Sequence, residues 1–212
     1  MSTRDSILAD IRTSLNRTAS ASVTPRPPII PPRLAGSSDA EIEKLLNEVN
    51  ALKGHAQCVR QIDLKLEVQK LVASEALQCA VLWNTERLHR LRVAEILRDV
   101  SIEIIPHTAD KQTMARADLG ITEADFLLPE TGTIGLLSSD DKPRSVSLLP
   151  RVHLVIARRS QLCADLHHVF AQAKLENYLV LITGPSRTAD IEMVVTIGVH
   201  GPQAYYLWIL DD

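Results

Sequence analysis

The chain has 212 residues, 45% hydrophobic and 23% charged, with a mean hydropathy of +0.02, near the average for soluble globular proteins. That length suits one domain with an appendage rather than two full cores, and the composition excludes a disordered or fibrous chain. No apolar run approaches the ~20 residues of a membrane helix. The opening MSTRDSILADIRTSL is periodic and charged, unlike a secretory signal, so a cytoplasmic protein without membrane insertion is expected.

The net charge of −3 excludes bulk attraction to nucleic acid or anionic lipid. Residues 1–35 carry +3, which leaves −6 on the other 177. Aromatics make up only 3% and are not interleaved with Lys or Arg, which argues against a base-stacking platform. Cys58, Cys79 and Cys163 lie far apart without a CxxC pair, so no metal or iron–sulfur site is expected in this chain.

In chain order, Ile7, Leu8, Ile11 and Leu15 share one face of a first helix, with Ser2-x-x-Asp5 as its cap. Residues 21–36, ASVTPRPPIIPPRLAG, hold five of the eleven prolines and predict an extended strap. The domain plan is thus a docking helix over 1–20, a strap over 21–36 and an α/β domain over 37–212. Docking of the first helix on its own chain, on another subunit or on a different protein stays open. Ser38-x-x-Glu41 reads as a capping box for a helix ending at Gly54, followed by the strand AQCVRQI. Asp63 caps a second helix, CAVLW (79–83) is a strand, Arg87–Arg98 a third helix and IEIIP (102–106) the next strand. Near-continuous apolar strands separated by helices predict a mostly parallel sheet covered on both faces.

ADFLLPETGTIGLL (124–137) then reads as two short strands broken at Pro129–Gly132, and SVSLLP (145–150) as another hairpin-like element. HLVIA (153–157) resumes the buried pattern. A helix over about 161–175, a parallel-type strand LVLIT (179–183) and a closing strand AYYLWIL (204–210) complete the chain.

Six of the eight glycines fall at or after residue 120, which marks three segments for chemistry. Glu130-Thr131-Gly132-Thr133 offers amides, hydroxyls and a carboxylate at a strand end; an ordinary tight turn accounts for it equally well. Gly184-Pro185-Ser186-Arg187-Thr188, with Asp190 beyond, equips a strand end for phosphate or carboxylate; helix capping and a surface ion pair are the plainer account. It is neither a Walker loop nor a GxGxxG fingerprint. In Gly198-Val199-His200-Gly201-Pro202 the histidine has little to pack against, which suits acid–base work, a ligand contact or a turn. His167-His168 is a poor metal pair, and His55, His89, His107 and His153 read as surface or end-of-element residues.

Together, ADLGITEADFLLPETGTIGLL, TGPSRTADIE and GVHGP resemble the lactate-utilisation protein C family (LutC/YkgG-like, LUD domain). SILADIRTSL looks like that family's opening, whereas Pro129 departs from the small residue such sequences carry before ETGT. The resemblance implies a three-layer α/β sandwich of the NagB/RpiA/CoA-transferase-like type. It further implies a non-redox subunit of a complex oxidising L-lactate to pyruvate, with iron–sulfur clusters in a partner protein. A small anionic substrate and self-association through the N-terminal arm are further expectations. The alternative is a free-standing enzyme on a CoA ester or sugar phosphate, with Glu130 as nucleophile or base and Gly184–Thr188 holding phosphate. On either reading Glu130 and His200 are the candidate catalytic residues. Thr131, Gly132, Thr133, Gly184, Ser186, Arg187, Thr188, Asp190, Gly198 and Gly201 are the candidate ligand contacts. Ligands of open α/β sheets bind beyond the carboxyl ends of strands, so Glu130, Ser186 and His200 are expected in one cleft. GVHGP reaches that edge if the final strand runs antiparallel to LVLIT.

Overall fold

The computed structural model describes residues 3–16, 31, 33–173, 178–188 and 196–211. Ser2, most of the proline-rich strap and Asp190 lie outside them. The chain divides into two compact units, Met1–Pro31 and Pro32–Asp212. In the first, α1 (Thr3–Ser14) is amphipathic, and none of its residues is buried.

The second unit begins with α2 (Ser38–Ala51) and then alternates: β1 (His55–Arg60), α3 (Leu64–Ser74), β2 (Cys79–Leu82), α4 (Glu86–Arg90), α5 (Val93–Asp99), β3 (Glu103–Ile105), α6 (Lys111–Met114), β4 (Leu119–Glu123). There follow β5 (Phe126–Leu128), β6 (Thr133–Leu137), α7 (Ser145–Leu148), β7 (Val152–Arg158), α8 (Leu166–Ala173) and β8 (Leu179–Ile182). A short pair, β9 (Arg187–Thr188) and β10 (Thr196–Ile197), precedes β11 (Ala204–Asp211).

Six strands form the main sheet in the order β1-β11-β7-β4-β2-β3, every neighbouring pair parallel. All residues from Val152 to Ala157 are buried. Successive side chains on a strand point to opposite faces, so both faces of this sheet are covered. This is the expected sandwich. A second sheet, β5-β6-β8, is wholly antiparallel. Leu127, Ile134 and Leu136 pack into the main core, whereas Phe126 and Leu128 meet Cys163, Val169 and Ala173 in a cluster of their own. The period-2 alternation thus lays this sheet between the main core and α8.

Several local expectations change. LVLIT is not a parallel strand: β8 pairs antiparallel with β6, and Leu181 is 40% exposed. An apolar run of that length fits a half-covered edge as readily as a buried strand. SVSLLP is not a strand, because α7 packs on β4 where Gly120 leaves room. A Cβ at Gly120 would lie 1.9 Å from the Val146 carbonyl oxygen. The helix expected over Arg87–Arg98 breaks at Arg92, whose φ is 55°. Leu91 and Val93 are both buried, yet sit about 200° apart on a continuous helix, and the break turns both inward. Ser37, not Ser38, caps α2 by accepting from the Ala40 N–H, which leaves Glu41 free for a different partner. Asp63 makes no side-chain cap; it accepts from Arg60 Nε at 2.6 Å instead.

Candidate functional site

The β5–β6 hairpin turns through a 3₁₀ segment, Pro129–Thr131, and Gly132 at φ 61°. Gly132 is required twice over: its φ is left-handed, and a Cβ would lie 2.9 Å from the Val49 nitrogen of α2. It is buried as packing, and the turn raises Glu130 and Thr131 outward. From Thr131 a chain of hydroxyls runs inward, Thr131 Oγ1 to Thr133 Oγ1 at 2.8 Å and on to Thr183 Oγ1 at 2.7 Å. The expected hairpin therefore touches the end of β8.

Two depressions meet at this chain. One, about 200 Å³, is lined by Glu130, Thr131, Ala164, Asp165 and His167 among others. Arg33 stands beside it. Its Nη1 and Nη2 donate to Glu41 Oε1 and Oε2 at 3.0 and 2.5 Å, and its Nε to the Ala164 carbonyl at 2.8 Å. Its main-chain N–H donates to Asp165 Oδ2 at 2.6 Å, and Glu130 Oε2 lies 3.9 Å from Nε. The Arg33 hydrogen bond holds the Glu41 carboxyl below its ordinary range. Asp165 is likewise held low, chiefly by its hydrogen bond with His168.

The other depression, about 270 Å³, is lined by Thr183, Gly184, Ser186, His200, Gly201 and, at its floor, His153 and Tyr205. The Ser186 N–H donates to the Pro202 carbonyl at 2.9 Å, and the Gly198 N–H to the Ser186 carbonyl at 2.8 Å. Antiparallel pairing of β9 with β10 holds the same two segments together, and a Cβ at Gly201 would lie 3.2 Å from Ser186 Cβ. GPSR and GVHGP thus converge as expected, by a different route. β11 is parallel within the main sheet and β8 belongs to the other sheet, so the short β9–β10 ribbon does the joining.

Ser186, His200, Gly184 and Gly201 share this pocket. Arg187 is exposed and caps β8, donating from Nη2 to the Thr183 carbonyl at 2.9 Å. Thr188 lies on the ribbon opposite Thr196, and Gly198 turns at φ 75° against Gln203. Glu130 and Thr131 line the first depression rather than this one, so the single expected cleft is two neighbouring ones. Two main-chain N–H groups of the converging segments, those of Ser186 and Gly198, are already engaged. An anion here would meet side chains more than loop amides. A larger hollow of about 350 Å³ lies elsewhere, beside His55 and Tyr206; its acid, Glu67, already pairs with Lys70 and Gln57.

His153 is not a surface residue. It is 1% exposed, its Nε2 lies 2.9 Å from Thr122 Oγ1, and burial pushes its pKa down to about 3, which keeps the ring neutral. Tyr205, its register partner on β11, is also 1% exposed, and burial raises its phenol far above the ordinary value. A polar residue inside an otherwise apolar buried strand was the available signal for both. Arg33 had no such signal, because its partners lie eight and about 130 residues away.

The LUD domain family model matches residues 42–210, which include both depressions. Lactate utilization protein C of Shouchella clausii is 30% identical over 99% of this chain and 98% of its own length. The Halalkalibacterium halodurans protein of that name is 32% identical over 82% of this chain and 81% of its own. The chain belongs to the LUD domain family. YkgG of Escherichia coli is 36% identical over 63% of this chain and 64% of its own length. Among solved structures, a DUF162 family protein from Deinococcus radiodurans matches 84% of this LUD chain and all of its own with a TM-score of 0.63. At 16% identity that match speaks for the fold alone. Among the described residues, no helix is long and apolar enough to cross a membrane.

Proposed function

We propose that this LUD protein serves lactate utilisation as a non-redox subunit of a cytoplasmic complex that oxidises L-lactate to pyruvate. In this reading a partner protein carries the iron–sulfur clusters, and the Ser186–His200 pocket holds a small anion. The observation that carries it is the nearly end-to-end match to Lactate utilization protein C of Shouchella clausii. The cysteines support the division of labour. Cys58 is exposed, Cys79 half-buried and Cys163 buried, and they sit on β1, β2 and the loop before α8, too scattered to share a cluster.

Two experiments test it. Deleting the gene should abolish growth on L-lactate as sole carbon source while leaving growth on pyruvate intact. The purified chain should reduce no dye with L-lactate alone and should restore that activity to a mixture lacking only this subunit. Normal growth of the deletion strain, or turnover by the pure chain, would sink the proposal.

A further inference from the structure

The floor of the Ser186–His200 pocket carries two polar atoms that the fold itself does not satisfy. Among the described residues, Tyr205 Oη and His153 Nδ1 are buried and without a hydrogen-bond partner. The rings lie 5.8 Å apart between centroids, and both residues line the same pocket. A buried donor or acceptor left unpaired destabilises the fold, and two such groups at one pocket floor mark a place where a ligand completes the set.

Both groups are uncharged, and their chemistry narrows the ligand. The phenol is a donor. The imidazole is neutral, and its other nitrogen faces the Thr122 hydroxyl, which can donate or accept. His153 can therefore take either tautomer, with Nδ1 accepting from a hydroxyl or donating to a carbonyl. A carboxylate on this floor would lack a counter-charge, so the floor fits a neutral oxygen. The Ser186 hydroxyl and the more exposed His200 imidazole complete the lining. At about 270 Å³ the pocket falls just below the ~300–1,000 Å³ usual for drug-sized ligands.

We propose that this pocket binds a short 2-hydroxy or 2-oxo carboxylic acid, its neutral oxygen on Tyr205 Oη and His153 Nδ1 and its carboxylate toward Ser186 and His200. The choice of a short acid rests on the lactate-utilisation reading; the neutral-oxygen floor rests on the geometry. Because the tautomer can switch, one site accepts both the hydroxy acid and the oxo acid.

The test titrates L-lactate, pyruvate and propionate into the full chain by calorimetry. Propionate keeps the carbon skeleton and charge of lactate but lacks its hydroxyl. L-Lactate and pyruvate should bind about tenfold more tightly than propionate, the scale of one to two net hydrogen bonds. Tyr205→Phe should cut that preference at least about threefold while leaving propionate unchanged, because His153 Nδ1 remains. Its unfolding midpoint should stay within roughly 2 °C of wild type or rise, since only an unpaired hydroxyl is removed. Independently, the imidazole ¹⁵N shifts of His153 in wild type should move oppositely with L-lactate and with pyruvate. Failure of both acids to outbind propionate, a preference left undiminished by Tyr205→Phe, a large loss of stability in that variant, or unchanged His153 shifts would each overturn the proposal. A reconstituted lactate oxidation indifferent to Tyr205→Phe would remove the site and keep the subunit role. Selective binding with no lactate oxidation in any mixture would do the reverse.

Discussion

On one side of the Thr131–Thr133–Thr183 hydroxyl chain, Arg33 gives both arms of its guanidinium to Glu41 and its main-chain N–H to Asp165. On the other side, His153 and Tyr205 bury a ring nitrogen and a phenol with no partner among the described residues. Both regions hold polar groups out of water, yet only the first answers its charges locally. Paired charges of this kind fasten a chain segment, while unpaired neutral groups at a pocket floor await a ligand. The contrast supports the proposal that the His153 side binds a ligand while the Arg33 side fastens the chain. Glu130, first in line from the sequence, lies on the Arg33 side, 3.9 Å from its Nε.

The largest expected effect comes from acid. His153 titrates near 6.5 when unfolded and at about 3 when folded. Between those values the unfolded chain binds a proton that the folded chain refuses, so stability falls as pH drops. The slope is at most about 1.4 kcal/mol per pH unit, which amounts to roughly 3 kcal/mol by pH 4. Denaturant unfolding of wild type and His153→Gln from pH 7 to 5 isolates this group. The carboxylates of Glu41 and Asp165 have depressed values, so they act only once the pH falls below the ordinary carboxylate range. Wild type should lose stability over that interval and His153→Gln should stay flat. Parallel curves would mean that His153 charges inside the fold or is not buried in solution.

Next in size is the Arg33–Glu41 pair. Removing one member of a buried pair costs about 3–5 kcal/mol; here the Arg33 side chain is 25% exposed and Glu41 8%, so Glu41→Gln should cost about 2 kcal/mol at pH 7. Urea unfolding measures it. Because the folded Glu41 carboxyl is held low, its contribution is complete above the ordinary value of 4.5 and fades as pH falls through the folded value. The gap between wild type and Glu41→Gln should close in acid. A gap below about 0.5 kcal/mol at neutral pH would place the pair in the screened, surface class and weaken the contrast between the two sides.

The same contrast explains what was legible in the sequence. CAVLW, HLVIA and AYYLWIL announced the parallel core because a strand covered on both faces must be apolar at every position. ADFLLPETGTIGLL announced a hairpin through Pro129 and Gly132. LVLIT carried an equally apolar run, yet it joins the other sheet, because periodicity reports burial and not which strand lies alongside. Ser186 and His200 were placed together by motif rather than by pattern; β9 and β10 are two residues each, too short to show any period. Arg33 sat in a proline-rich stretch as one charge among several, and nothing local distinguishes an arginine that will meet Glu41 and Asp165.

The smallest effect concerns the N-terminal arm, and where the chain is cut decides it. The arm and strap together suggest removing residues 1–34 as a unit, but Arg33 belongs with Pro32–Asp212 and holds Glu41, Ala164 and Asp165. No residue of Thr3–Ser14 is buried, so removing residues 1–31 should change stability by less than about 0.5 kcal/mol, as for surface changes in general. Self-association or partner binding should fall if the apolar stripe of Ile7 and Ile11 is a docking face. Removing residues 1–34 should add the loss of Arg33, a further drop of about 2 kcal/mol, because Glu41 then lies buried without its cation. Chemical unfolding of the two truncations side by side measures the difference. Equal stability would mean that Arg33 contributes nothing to the fold. A large loss already at residue 31 would mean that α1 completes the core rather than serving as an arm.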